Sequence, residues 1–176
     1  MDKRMSNSGF KAMAFTFKLR DLFRPRRNVV KEVGIKPGFD VLDYGCGSGS
    51  YITAVAELVG KSGRVYTLDI HPLAIQMVQR IASKNQLTNV KTILSDCKTG
   101  LPDDSVDVIL LYDTFHDLTY PEEILEELHR ILRSNGILSF SDHHMKEDEI
   151  VSKLTNTGLF KLSRKGERTY SFVKLI

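Results

Sequence analysis

Apolar residues fall into two patterns along the chain: short continuous runs, and longer stretches in which they recur every three or four positions. These are the signatures of buried strands and of amphipathic helices. The runs at 39–42, 64–68, 90–94, 106–111 and 137–141 predict strands, and the periodic stretches at 51–59, 72–86, 121–133 and 147–154 predict the helices between and after them. In the 72–86 helix Leu73, Ile75, Met77, Val78 and Ile81 form the expected buried set, with Pro72 in the first turn, where its missing N–H does no harm. The 121–133 helix carries Glu122 and Glu123 in its first turn and Arg130 and Arg133 in its last, which suits the helix dipole. Asn135 and Gly136 then predict a turn into the fifth strand. Two further runs, 159–163 and 170–175, joined through Lys165, Gly166 and Glu167, predict a hairpin. Strands alternating with helices define the α/β class: a doubly wound, Rossmann-like, mostly parallel sheet with a C-terminal antiparallel hairpin. The run at 106–111 is apolar almost throughout, as a central strand covered on both faces requires.

The N-terminal stretch follows another pattern. Residues 9–27 interleave Phe10, Met13, Phe15, Phe17, Leu19, Leu22 and Phe23 with Lys11, Lys18, Arg20, Arg24, Arg26 and Arg27. This predicts one or two amphipathic helices stopped near Pro25, then a short helix at 28–33 with Gly34 as its C-terminal cap. The chain is accordingly read as a basic, aromatic helical lid at 1–36 and a ligand-binding domain at 37–176. The same lid residues suit simple packing on the domain, an anionic membrane surface, or RNA.

The junction between the first strand and its helix, 41–50, reads V-L-D-Y-G-C-G-S-G-S. Gly45, Gly47 and Gly49 allow a tight turn and let a ligand approach the main chain, with free N–H groups expected at the helix start. A dinucleotide fingerprint has the spacing G-x-G-x-x-G and binds an anion there. Here the spacing is G-x-G-x-G and Asp43 precedes it, so an anion about 4 Å away would be repelled by about 4 kcal/mol at an effective dielectric of about 20. A cationic ligand is favoured. Asp69, about 20 residues past the glycines at the tip of the second strand, occupies the place where a ribose diol is gripped.

The string D-x-G-x-G-x-G closely resembles the first motif of the class I S-adenosylmethionine-dependent methyltransferases, and 132–138, L-R-S-N-G-I-L, resembles the motif before their fifth strand, without its usual proline. The resemblance spans residues 28–176. It implies S-adenosylmethionine as cofactor, held by Asp43, Tyr44, Gly45, Cys46, Gly47 and Gly49, with Asp69 at the ribose, Ile70 against one face of the adenine, Asp96 and Cys97 at its edge, and Tyr112 beside it. It also implies a last strand inserted antiparallel beside the fifth. The general group it resembles includes enzymes of quinone and lipid biosynthesis, and an apolar or aromatic small-molecule acceptor is compatible with the N-terminal aromatics. A regulatory protein that binds the cofactor without turnover and an RNA methyltransferase docking through 1–36 are the alternatives.

Composition adds bounds. At 176 residues, 41% hydrophobic and 27% charged, the chain has room for a full core but not for a second large module. No apolar run approaches the roughly 20 residues of a membrane span, and no secretory signal is evident, so a cytoplasmic location is expected. Cys46 and Cys97 lack metal or redox spacing. The net charge of +3 hides an asymmetry: residues 1–36 hold ten Lys or Arg against three acids, whereas the remainder is net acidic.

Methyl transfer is an in-line displacement in which alignment supplies much of the rate, so a catalytic residue is not obligatory. Where a proton must leave, His116 and Asp113, just beyond the fourth strand, are the candidate bases, with Tyr112 behind them. Asp113 and Asp142, at neighbouring strand tips, could also join His143 or His144 around one cation, an arrangement similar to the metal site of catechol-type O-methyltransferases. Histidine there suits Mn²⁺, Fe²⁺ or Zn²⁺ better than Mg²⁺. The reading adopted has no metal.

Overall fold

The computed structural model describes residues 4–23 and 26–175. Its strands are β1 (Asp40–Tyr44), β2 (Arg64–Asp69), β3 (Val90–Leu94), β4 (Val106–Tyr112), β5 (Leu132–Ser141), β6 (Phe160–Lys165) and β7 (Tyr170–Lys174). Its helices are α1 (Asn7–Phe23), α2 (Arg27–Lys31), α3 (Ile52–Val59), α4 (Pro72–Lys84), α5 (Pro121–Ile131) and α6 (Glu147–Thr155), with a 3₁₀ turn at Phe115–Asp117. Among the described residues the strands form one sheet in the order β3-β2-β1-β4-β5-β7-β6. The first five run parallel, and β7 lies antiparallel between β5 and β6, where the resemblance places it.

Alternation along the strands divides the core into two layers. Val41, Val65, Val108 and Leu110 pack with Phe10 and Ala14 of α1, Val30 of α2, Ile52 and Val55 of α3, and Val78 of α4. Their neighbours Leu42, Leu68, Ile109 and Leu111 point to the other face, against Ile124 and Leu128 of α5 and Leu154 of α6. This explains why β4 is apolar at successive positions, and each such fully buried side chain contributes about 1.5–3 kcal/mol. The strand order reverses beside β1: β2 lies on one side and β4 on the other. That is the switch point at which a doubly wound sheet opens a crevice.

Several boundaries differ from the pattern reading. β5 starts at Leu132, not at Ile137, because buried Leu132 pairs with Val106 before the register jumps to Ile137 opposite Val108. Residues 133–136 form the irregularity between those pairs, so Arg133 leaves the last turn of α5 and reaches Asp40 and Asp107 instead. In α4 the buried residues are Ala74 and Val78, while Leu73 and Met77 are only partly buried and Ile75 and Ile81 are likewise half-exposed. The wide apolar set on α4 reflects its other contact, the glycine turn: a Cβ on Gly49 would meet Ile81 Cδ1 at 2.9 Å. α2 ends earlier than expected, at Lys31 with Glu32 as its C-terminal cap, so Gly34 (φ +81°) does not cap the helix but serves the turn that follows it. The break at Pro25, with Arg24, lies outside the described residues.

Candidate functional site

The carboxyl ends of β1, β2 and β4, with the loop after β3, surround a crevice of about 610 Å³, and Phe10, Met13 and Phe17 of α1 line its opposite wall. Asp43, Tyr44, Gly45, Cys46, Gly47, Asp69, Ile70, Asp96, Tyr112 and Asp113 all line it. Three sequence candidates do not. Gly49 faces α4, and Cys97 turns its Sγ to the Glu123 carbonyl at 3.8 Å. His116 points to the far side of the β4 tip, where its Nδ1 lies 2.8 Å from Asp142 Oδ2.

The amides of the glycine turn are not left open as an anion nest. Gly45 and Cys46 N–H both donate to the Leu68 carbonyl, at 2.8 and 3.0 Å, and Gly47 N–H donates to Asp69 Oδ2 at 2.8 Å. These three N–H groups are thus spent on joining β1 to β2, and an acid stands beside the turn where a dinucleotide phosphate would be repelled. Gly45 (φ +73°) also lies under Thr114, whose Cγ2 would be 2.6 Å from a Cβ at that position.

Burial sets the electrostatics. Asp43 is 2% exposed, its Oδ2 has no hydrogen-bond partner among the described residues, and its carboxyl is pushed up to about 7 by desolvation first and by nearby Asp69 second. Desolvation also raises Asp69, opposed by the amides of His71 and Gly47. Burial, followed by the same two acids, pushes the Cys46 thiol well up, so it is an inert wall residue. Tyr112 shares a hydrogen bond with Ser139 and packs edge-on to Tyr51, whose hydroxyl burial pushes up to about 12. Tyr44 reaches across to the Asp96 carbonyl and fixes the β3 loop beside the crevice.

Beyond the β4 and β5 tips, two Asp–His pairs lie side by side: His116 with Asp142, and His143 Nδ1 with Asp113 Oδ1 at 2.8 Å. Asp113, Asp142 and His143 bring ligand atoms within 4.8 Å of one another, so the residues of the metal alternative do converge. Their carboxylates already accept imidazole and amide hydrogens, Asp142 also from His144 N–H. Tyr51, Thr114 and His71 line the crevice without having been singled out as site residues. Only position could have flagged them: the end of the glycine motif, the end of β4 and the end of β2.

A switch-point crevice with an acid at the tip of β1, an acid at the tip of β2 and a glycine turn closed to anions is that of a class I S-adenosylmethionine-dependent methyltransferase. Residues 35–171 match the family described as "Methyltransferase domain", and the chain belongs to that family. A ubiquinone/menaquinone biosynthesis C-methyltransferase, UbiE, of Hydrogenovibrio crunogenus is 30% identical over 121 residues, covering 66% of this chain and 48% of that protein. The catalytic subunit of a tRNA (adenine(58)-N(1))-methyltransferase of Yarrowia lipolytica is 30% identical over 105 residues, 59% of this chain and 27% of that protein. A solved S-adenosylmethionine-dependent methyltransferase from Aquifex aeolicus superposes with TM-score 0.79 at 25% identity, covering 98% of this chain and 100% of that one. The chain spans about half the length of the quinone-pathway relative.

Family membership implies S-adenosylmethionine as the cofactor, and the residues present fit it. The unpartnered Oδ2 of Asp43 on the crevice wall lacks a cation or donor, and this cofactor carries an ammonium and a sulfonium. The crevice volume lies in the ordinary range for a ligand of that size.

Proposed function

We propose that this chain is an enzyme that transfers the methyl group of S-adenosylmethionine to a small, apolar or aromatic acceptor, with positioning as its main catalytic effect. The observation that carries the reading is Asp43, a buried carboxylate with one oxygen unpaired among the described residues, in a crevice where Asp69 takes the Gly47 amide. When bound, the cofactor supplies an electrophilic methyl group on a sulfonium. Asp43, Tyr44, Gly45, Cys46 and Gly47 hold its amino-acid end, with Gly49 keeping the turn tight from behind. Asp69 holds the ribose, Ile70 and Asp96 the adenine, with Cys97 supporting the β3 loop and Tyr112 forming the wall beside it.

Helix α1 acts as the lid of this site. Its inner residues Phe10, Met13 and Phe17 form an apolar roof, and Arg20 reaches Asp113 at 3.7 Å from the end of the same helix. The roof excludes water and favours an apolar acceptor, which strengthens every electrostatic contact inside. Asp113 is the proton acceptor within reach of the crevice, held by His143 and Arg20. His116 orients the second strand tip through Asp142 and does not line the crevice, so its part in proton transfer runs through a change of position or not at all. The quinone-pathway relatives make an electron-rich ring carbon or hydroxyl the first acceptor class to assay. The test is formation of S-adenosylhomocysteine with a panel of ring hydroxyl and quinol acceptors: turnover with one of them, reduced at least tenfold in Asp113→Asn, supports the reading. Tight cofactor binding with no turnover on ring, lipid or RNA acceptors contradicts it in favour of a regulatory protein.

A further inference from the structure

Besides Asp43, one other buried side-chain polar atom lacks a hydrogen-bond partner among the described residues: Nε2 of His71. His71 is 3% exposed, lines the crevice and follows Asp69 by two residues. Its protonation pattern is fixed by what surrounds it. It is the N-cap of α4, and its Nδ1 accepts the N–H of Leu73 at 3.1 Å. An imidazole nitrogen that accepts a backbone N–H carries no proton of its own, so the ring is the neutral tautomer with its hydrogen on Nε2. The backbone N–H of His71 is held by Asp69 Oδ1 at 2.7 Å, and Phe10 of α1 stacks on the ring at 4.3 Å and 23°. Backbone, cap and stack thus fix one N–H donor in the crevice wall with nothing to donate to. A buried donor in that state is destabilising until a partner arrives.

We propose that the His71 Nε2–H is a donor to a ribose hydroxyl oxygen of the bound nucleoside, the partner of the hydroxyl that donates to Asp69. The inference rests on the cofactor reading above and extends it to a residue with no previous role. A diol needs an acceptor for its hydrogens and gains specificity from a donor to its oxygens. Asp69 provides the first, from the tip of β2, and His71 the second, two residues on at the start of α4. Phe10 holds the imidazole plane from the opposite wall, so α1 and α4 meet at the nucleoside. The histidine is a positioning and recognition residue, and it does not touch the transferred methyl group.

The experiment is a calorimetric titration of S-adenosylhomocysteine and of its 2′-deoxy and 3′-deoxy analogues into the wild type and His71→Asn. Asparagine keeps an acceptor for the Leu73 N–H, so the cap survives, but it is too short to present the distal N–H. The expected result is an affinity about 5- to 20-fold lower for His71→Asn with the full nucleoside. One deoxy analogue is weakened by a similar factor in the wild type and is hardly weakened further in the variant, the non-additive signature of a direct contact. Imidazole nitrogen NMR of the wild type gives a check independent of the variant: Nε2–H is present in the free protein, and its exchange with solvent slows on addition of S-adenosylhomocysteine. Unchanged affinity in His71→Asn, or losses that add fully for both analogues, overturns the proposal alone. No binding of the nucleoside by the wild type overturns the cofactor reading and this proposal with it.

Discussion

Asp43 has an ordinary pKa of 3.8 and a folded value of about 7, raised by desolvation and then by Asp69. A raised folded value means that the folded state holds the proton more tightly. Its contribution to stability is therefore present below about pH 4 and is lost as pH rises through about 7. Denaturant unfolding of the cofactor-free protein should show this decline, and Asp43→Asn should flatten it. Cofactor affinity has the opposite slope, because a cation needs the ionised form: S-adenosylmethionine should bind more tightly as pH rises from about 6 to 8. Asp43→Asn should weaken that binding by about ten- to a hundredfold, the range of a lost charge-assisted hydrogen bond, and abolish its pH dependence. The carboxylate's position was legible from its place before the glycines. Its orphaned oxygen and its proton were not, because both depend on the turn amides choosing Leu68 and Asp69 as partners.

Elements whose ends are set by local chemistry were legible, and those set by long-range pairing were not. Pro72 and Pro121 do sit in the first turns of α4 and α5. β3 and the start of β4 follow their apolar runs to the residue. The start of β5 escaped the pattern because Leu132 joins the sheet by pairing with Val106, a partner 26 positions away whose register no local signal encodes. Helix α5 depends on Glu127, buried at 1% exposure, which accepts from Thr99 and Arg130. Burial alone would raise its pKa, but the Arg130 and Thr99 hydrogen bonds outweigh that and bring it down to about 2 from 4.5. The depressed value places its stabilisation above about pH 4.5, lost as pH falls towards 2. Glu127→Gln should cost about 1–3 kcal/mol at neutral pH, measurable as a lower midpoint in denaturant and a weaker acid dependence. For α1, a lid predicts that S-adenosylhomocysteine slows amide exchange along the helix. Exchange unchanged by a saturating nucleoside would make α1 a fixed wall.

At the scale of the whole molecule, the surplus of positive charge near the N-terminus is less free than its count suggests. Arg20 and Arg26 both reach Asp21, Arg20 also approaches Asp113, and Arg27 pairs with Glu57. Cations tied to acids in this way make weaker phosphate contacts than free ones. Removing the charges of Arg26 and Arg27 should then leave the salt dependence of any RNA binding unchanged. Among the described residues no helix is long and apolar enough to cross a membrane. The layered architecture was legible from alternation alone, because strands that bury both faces and helices that bury one leave different periods in the sequence. The pairing of site residues across the crevice was not, since Phe10 of α1 stacks on His71 from 61 positions away and no local signal encodes that contact. The most direct test of the central claim is calorimetric titration of S-adenosylmethionine and S-adenosylhomocysteine into the wild type, Asp43→Ala and Asp69→Ala. Micromolar affinity of the wild type for both, lost in each variant while the fold is retained, is the predicted result; no binding of either nucleoside, or binding indifferent to both carboxylates, would contradict the account.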